Sequence, residues 1–184
     1  MTPSTSLILG GARSGKSRYA EQLASASGKE VIYVATARAG DVEMAVRIVK
    51  HRQQRPVNWT TVEEPLALGA VIAQWSAPER VVLIDCITLW LSNLLFNGGV
   101  EHPEVGQIEA PPRFASERRN LLQALGNVNG DVILVSNEVG SGIVPAGAVS
   151  RWFVDEAGWL NQDLAASCGK VTLVVAGLPM HLKG

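Results

Sequence analysis

The sequence predicts an α/β fold of three layers, with helices on both faces of a mostly parallel central sheet. Three observations predict it. Short β-rich runs recur along the 184 residues, each nearly continuous in apolar side chains, as strands covered on both faces are. Stretches of helical spacing with few breakers separate them. A glycine-rich octapeptide at residues 10–17 stands between the first strand run and the first helical stretch.

The strand runs are 6–9, 30–35, 80–84, 131–135 and 170–175, all rich in Val, Ile and Leu. Residues 59–62 form a further short extended piece. Helical spacing covers 17–27, 42–53, 65–75, 87–96, 112–125 and 148–166. Between the fourth and fifth of these, residues 97–112 hold three Gly and three Pro, which predicts a long surface loop. No internal repeat appears, and one domain of roughly 100–200 residues accounts for the length, so 1–184 is expected to be a single nucleotide-binding catalytic domain once the motif below is added.

Hydrophobic residues make up 47% of the chain and charged residues 18%, which gives a generous core and excludes disorder. The net charge of −1 excludes general affinity for nucleic acid, because that rests on neutralising many phosphates. Any basic site must be local. Cys86 and Cys168 are distant from one another and flanked by apolar or small residues, which fits two buried thiols in a reducing compartment rather than a metal pair. Residues 1–6 lack the basic region of a signal peptide. The longest apolar stretch, 81–96, is interrupted by Asp85 and falls short of the roughly 20 residues that span a bilayer. The expected location is cytoplasmic, with no membrane span.

Gly10, Gly11, Ala12, Arg13, Ser14, Gly15, Lys16 and Ser17 match GxxxxGK[ST] after a strand and before a helix, the context that a phosphate-binding loop requires. Backbone N–H groups of such a loop surround phosphate oxygens at a helix N-terminus. Lys16 would reach the β and γ phosphates, and the Ser17 hydroxyl would ligate Mg²⁺. The alternative, a plain glycine-rich turn, leaves the strand-loop-helix context unexplained. Motif and alternation together predict the P-loop NTPase (RecA-like) fold, with ATP or GTP and Mg²⁺ as ligands.

A second acid should close another buried strand and hold the metal shell. Asp85 follows Val81-Val-Leu-Ile84 and is the one acid in that apolar run. It serves either the Mg²⁺ shell or the N-cap of the helix that follows. The local basic site lies at 38–55, where Arg38, Arg47, Lys50, Arg52 and Arg55 face only Asp41 and Glu43, a local charge of +3. A helix capped by Asp41 would put Arg47, His51 and Arg55 on one face. Surrounding cations disfavour an imidazolium and leave a neutral nitrogen able to attack, although periodicity alone reads His51 as a solvated surface residue. His102 and His181 offer less. The run 137–145, Asn-Glu-Val-Gly-Ser-Gly-Ile-Val-Pro, brings an amide and an acid to the C-terminal edge of the sheet, where open α/β folds bind ligands. The helix beyond it carries Arg151, Asp155, Asn161 and Gln162, more polar residues than its apolar stripe needs.

In these motifs, and in Tyr33-Val-Ala-Thr36, Glu43-Met44, Arg47-Ile48, Arg55-Pro56, Trp59, Glu63, Asp85-Cys-Ile-Thr88, Asn93-Leu-Leu95, Gly142-Ile-Val-Pro145, Phe153 and Gly158, the chain resembles the bifunctional adenosylcobinamide kinase and adenosylcobinamide-phosphate guanylyltransferase family of cobalamin biosynthesis. The resemblance runs from Leu7 to about Lys183. It implies that His51 takes GMP from GTP as a phosphoramidate, releasing pyrophosphate, and passes it to the phosphorylated corrinoid. It implies GTP contacts at the P-loop, at Ala35, Thr36 and Ala37, at Arg52, Gln53, Gln54 and Arg55, at Glu63 and at Asp85. It also implies adenosylcobinamide and its phosphate as substrates, and a homotrimer. Lys50 stands where some members have a second histidine. Two other readings stay open on the residues alone: a P-loop kinase of another small metabolite, and a nucleotide switch or motor subunit.

Overall fold

The computed structural model describes residues 3–37, 56–96, 102–103, 105–106 and 108–184. Its elements are β1 (Thr5–Gly10), α1 (Lys16–Ala26), β2 (Glu30–Ala35), β3 (Thr60–Glu63), α2 (Leu68–Trp75), β4 (Arg80–Asp85), α3 (Ile87–Leu95), α4 (Pro112–Leu125), β5 (Asp131–Asn137), α5 (Ala148–Ser167), β6 (Lys170–Val175) and β7 (Leu178–Lys183). One sheet joins the strands in the order β3-β2-β4-β5-β1-β6-β7. Every pairing in it is parallel except β6 with β7.

Strand side chains alternate between two cores, as period-two geometry demands. Leu7, Ile32, Val34, Val82, Ile84, Val132 and Leu134 face α2, α3, α4 and α5. Ile8, Val31, Tyr33, Val81, Leu83, Ile133 and Val135 face α1, which meets them through Ala20 and Ala24. Because both faces are covered, the sequence shows runs of Val, Ile and Leu instead of alternation. Each large aliphatic side chain fully buried here contributes about 1.5–3 kcal/mol. Trp90 is fully buried and donates its indole N–H to the Leu66 carbonyl at 2.6 Å, so its one polar atom is satisfied.

Helix ends follow local chemistry. Glu64 Oε1 accepts from the N–H groups of Leu66 and Ala67 at 2.8 and 2.9 Å, which holds a turn there and delays α2 to Leu68, three residues later than its apolar spacing suggests. Pro112 opens α4 at a position where a missing N–H costs nothing. Arg118 ties α4 to α5 through Glu156 at 3.0 Å and Asp163 at 2.7 Å. The short extended piece becomes β3, shifted by one residue to Thr60–Glu63.

The structure adds β7, which the sequence reading lacks. All six of its residues are exposed, with Leu178, Met180 and Leu182 alternating with Pro179, His181 and Lys183, so no apolar run marks it. Ala176 and Gly177, at φ 52° and 79°, make the two-residue turn that folds it back on β6. The expected helix 42–53 lies outside the described residues. Within 97–112 the described residues before Pro112 belong to no helix or strand, as a surface loop requires.

Candidate active site

Gly10 ends β1 and the chain then wraps tightly. Ser14 donates its N–H to the Gly11 carbonyl at 3.2 Å, Arg13 and Gly15 take φ of 57° and 95°, and α1 starts at Lys16. A Cβ on Gly10 would lie 2.4 Å from Ser14 Oγ and 2.7 Å from the Val174 carbonyl, so the loop closes only on glycine. The β6–β7 turn supports it from outside, since Gly177 donates its N–H to the Ser14 carbonyl at 2.8 Å. No side chain caps α1 and no acid occupies its first turn, which leaves the helix-start N–H groups available to an anion. Lys16 is 8% exposed, and the Gly11 carbonyl at 3.2 Å takes one of its three N–H groups. A buried ammonium calls for a counter-charge, and phosphate supplies it.

Asp85 stands across β5 from this loop, at the end of β4. In the sheet register Ala35 lies opposite both Asp85 and Glu63, so three expected nucleotide contacts share one level on neighbouring strands. Tyr33 donates its hydroxyl to Asp85 Oδ2 at 3.1 Å. Cys86 is the N-cap of α3, and that helix has no side-chain cap bond, so the Asp85 carboxylate is not used as a cap. Burial pushes the Cys86 thiol up, the Asp85 charge adds to the rise, and the Thr88 hydrogen bond, the Leu89 backbone and the Lys16 charge oppose it. Lys16 and Asp85 therefore act on one side chain from the two halves of the site.

Mg²⁺ fits this donor set. The Ser17 hydroxyl and the Asp85 carboxylate are hard oxygen donors, and among the described residues no three His, Cys, Asp or Glu converge into a cage. Mg²⁺ is commonly held by one or two protein oxygens together with water and substrate phosphates.

Side chains lock the strand ends in place. Thr36 is fully buried: its hydroxyl donates to the Cys86 carbonyl at 2.8 Å and accepts the Cys86 N–H at 2.9 Å. Its N–H reaches the Asp85 carbonyl at 3.4 Å, and its carbonyl accepts from Asn93 Nδ2 at 2.7 Å. The same Asn93 amide reaches the Pro65 carbonyl at 3.1 Å, joining the loops that follow β2 and β3. Ser136 Oγ donates to Asn161 Oδ1 at 2.7 Å, so Asn161 serves this network. The partners lie 25 to 57 residues apart, which hides these roles from any local sequence pattern.

The other singled-out residues divide. Glu138 N–H donates to the Gly10 carbonyl at 3.1 Å, beside the loop, and its carboxylate accepts from the Gly140 N–H at 2.7 Å. With Leu9, Asn161 and Gln162 it lines a cleft of about 450 Å³. Arg151 binds the Pro145 and Ala146 carbonyls, a structural task at the start of α5. His102 meets the Leu95 carbonyl and the Phe96 ring, and His181 meets Thr172, all away from the loop. His51, Arg52, Gln53, Gln54 and Arg55, with Arg38, Asp41, Glu43, Arg47 and Lys50, lie outside the described residues.

A P-loop opening onto the carboxyl edge of a RecA-like sheet defines a nucleotide-binding protein of the P-loop NTPase class. Solved structures agree on the fold: an ATPase of the type III secretion system of pathogenic bacteria matches 97% of this chain and 56% of its own at TM-score 0.56 and 13% identity, and EscN of enteropathogenic E. coli matches 95% and 43% at TM-score 0.57 and 12% identity. The particular family comes from sequence. Residues 6–182 match the CobU family, cobinamide kinase / cobinamide phosphate guanyltransferase, and the chain belongs to it. It is thus an enzyme with kinase and guanylyltransferase activities. The bifunctional adenosylcobalamin biosynthesis protein CobP of Pseudomonas aeruginosa is 54% identical over 97% of this chain and 96% of its own length. CobU of Escherichia coli K12, named likewise, is 44% identical over 96% and 98%.

Proposed function

We propose that this domain phosphorylates adenosylcobinamide with ATP or GTP, then transfers GMP from GTP to the product through a guanylyl-histidine at His51. What supports the first step is the convergence of a preformed P-loop, a buried Lys16 and Asp85 at one sheet edge. Ser17 and Asp85 would hold Mg²⁺, whose chemistry there is to offset charge on phosphate oxygens. In the second step a neutral imidazole nitrogen attacks the α-phosphorus, a P–N bond forms, the P–O bond to pyrophosphate breaks, and the histidine ring loses its proton. The phosphate of the corrinoid then displaces the histidine, giving adenosyl-GDP-cobinamide. Division into two transfers lowers each barrier, and protonated imidazole leaves well. The family match, the +3 charge of 38–55 and the end of β2 at Ala35, three residues before that segment begins, support this assignment.

Residues 1–184 are read as one catalytic domain placed in the cytoplasm, and three copies as the working assembly. Exposed Leu178, Met180 and Leu182 on β7 and Trp159 on α5 support an apolar contact between copies. Among the described residues no helix is long and apolar enough to cross a membrane. Intact mass before and after incubation with GTP alone tests the mechanism. An added GMP is expected, and its absence under conditions where GTP binds would overturn the histidine step.

A further inference from the structure

Pairing between β4, which ends in Asp85, and β5, which lies beside the P-loop strand, stops short of the site. The β4–β5 ladder stops where Asp85 lies opposite Val135, whereas β5 runs two residues further, to Asn137 opposite Gly10. Beyond the last pair, a side-chain bond continues the connection: Asn137 Nδ2 donates to Thr88 Oγ1 at 2.6 Å. Thr88 is buried in the first turn of α3, and its hydroxyl also lies 3.1 Å from Cys86 Sγ. Asn137 is itself fixed. Its carbonyl accepts from Asn161 Nδ2 at 3.3 Å, and the next residue, Glu138, donates its N–H to the Gly10 carbonyl. The bridge therefore runs from the P-loop strand to the turn that presents Asp85, while Thr36 holds that turn from the β2 side.

We propose that Thr88 and Asn137 are positioning residues for the kinase reaction, holding the Asp85–Cys86 turn in register with the phosphate loop. The inference rests on the reading of Asp85 as the Mg²⁺-side carboxylate. Neither side chain is assigned to substrate; each acts through the placement of Asp85 relative to Lys16 and Ser17. Transfer depends steeply on such placement, since a displacement of about 1 Å costs on the order of a hundredfold in rate.

Kinase turnover of the full chain, and ATP binding by calorimetry without corrinoid, are measured across a Mg²⁺ titration for wild type, Thr88→Val, Thr88→Ser, Asn137→Ala and Asp85→Asn, the Mg²⁺ midpoint being read from the binding. Valine keeps the shape of threonine without its hydroxyl, and serine keeps the hydroxyl. Thr88→Val is expected to lower kcat on the order of ten- to a hundredfold and raise the Mg²⁺ midpoint, with nucleotide KM within about twofold of wild type. Thr88→Ser should recover most of kcat. A Thr88→Val protein with wild-type kcat and Mg²⁺ midpoint, or a loss that serine leaves unrepaired, overturns the proposal. Asn137→Ala, at a half-buried strand end, carries the same test if Thr88→Val fails to fold. An unshifted midpoint in Asp85→Asn removes the metal reading and this inference with it; a shift there without one in Thr88→Val removes the inference alone.

Discussion

The ammonium of Lys16 rests 3.2 Å from the Gly11 carbonyl, folded over the loop whose phosphates it would neutralise. Buried and held by one carbonyl, it is preplaced for charge that develops during transfer. Lys16→Ala should lower kinase turnover by about 10²–10³-fold or more, because a preorganised cation acts mainly in the transition state. The melting temperature should change little, since a buried charge contributes little to net stability. Near-normal turnover in a folded Lys16→Ala protein would remove the P-loop from the mechanism.

Gly10→Ala puts a methyl between Ser14 Oγ and the Val174 carbonyl, at 2.4 and 2.7 Å. The side-chain oxygen can turn away, but the backbone carbonyl of β6 cannot without disturbing the sheet. A destabilisation of about 1–3 kcal/mol is expected from overpacking, read by denaturant unfolding, together with weaker nucleotide binding. Unchanged stability would mean the loop opens more easily than its bonds imply.

His51→Ala should eliminate both the GMP adduct and guanylyl transfer while cobinamide phosphorylation continues. The adduct in wild type should be acid-labile and base-stable, as a phosphoramidate is. Its formation should fall at low pH, because protonated imidazole has no lone pair for attack. Peptide mapping checks the position, and label on any other residue would sink the assignment.

Cys168 gives a pH dependence with a defined sign. Burial lifts its thiol from 9.0 to about 11, against opposing effects of Lys183 and Thr5. The folded state holds this proton more tightly than the unfolded chain, so the contribution is complete below pH 9 and is lost as pH rises toward 11. It amounts to about 3 kcal/mol. Unfolding free energies of wild type and Cys168→Ala, measured from pH 8 to pH 11, should converge by that amount; parallel curves would count against it.

Assembly is checked by light scattering at micromolar concentration, where three chains are expected. Replacing Leu178 and Met180, both exposed on β7, with Ser should weaken the trimer if that strand lies in the contact. A wild-type monomer would refute the assembly.

Much of the fold is legible because burial on both faces prints continuous apolar runs, and the strands 30–35 and 170–175 are observed with those limits. The P-loop is legible because its glycines and Lys16 do their work within eight residues. Failures have one cause in common, dependence on distant partners. β7 carries no buried face of its own and exists because β6 offers it an edge. Thr36 is an expected nucleotide contact, and nothing in its sequence neighbourhood shows that its hydroxyl, N–H and carbonyl are also engaged by Cys86, Asp85 and Asn93. Asn137 is visible as an amide at a strand end, but its task requires Thr88, 49 residues away.

The strand order has a consequence for biosynthesis. β1 carries the phosphate loop and precedes the other described strands in the chain, yet its two neighbours are β5 and β6, which begin at residues 131 and 170. A growing chain supplies neither of the strands that pair with β1 until residues 131–175 have been made. A chain cut off before β5 would contain every residue of the P-loop but neither of the strands that pair with β1.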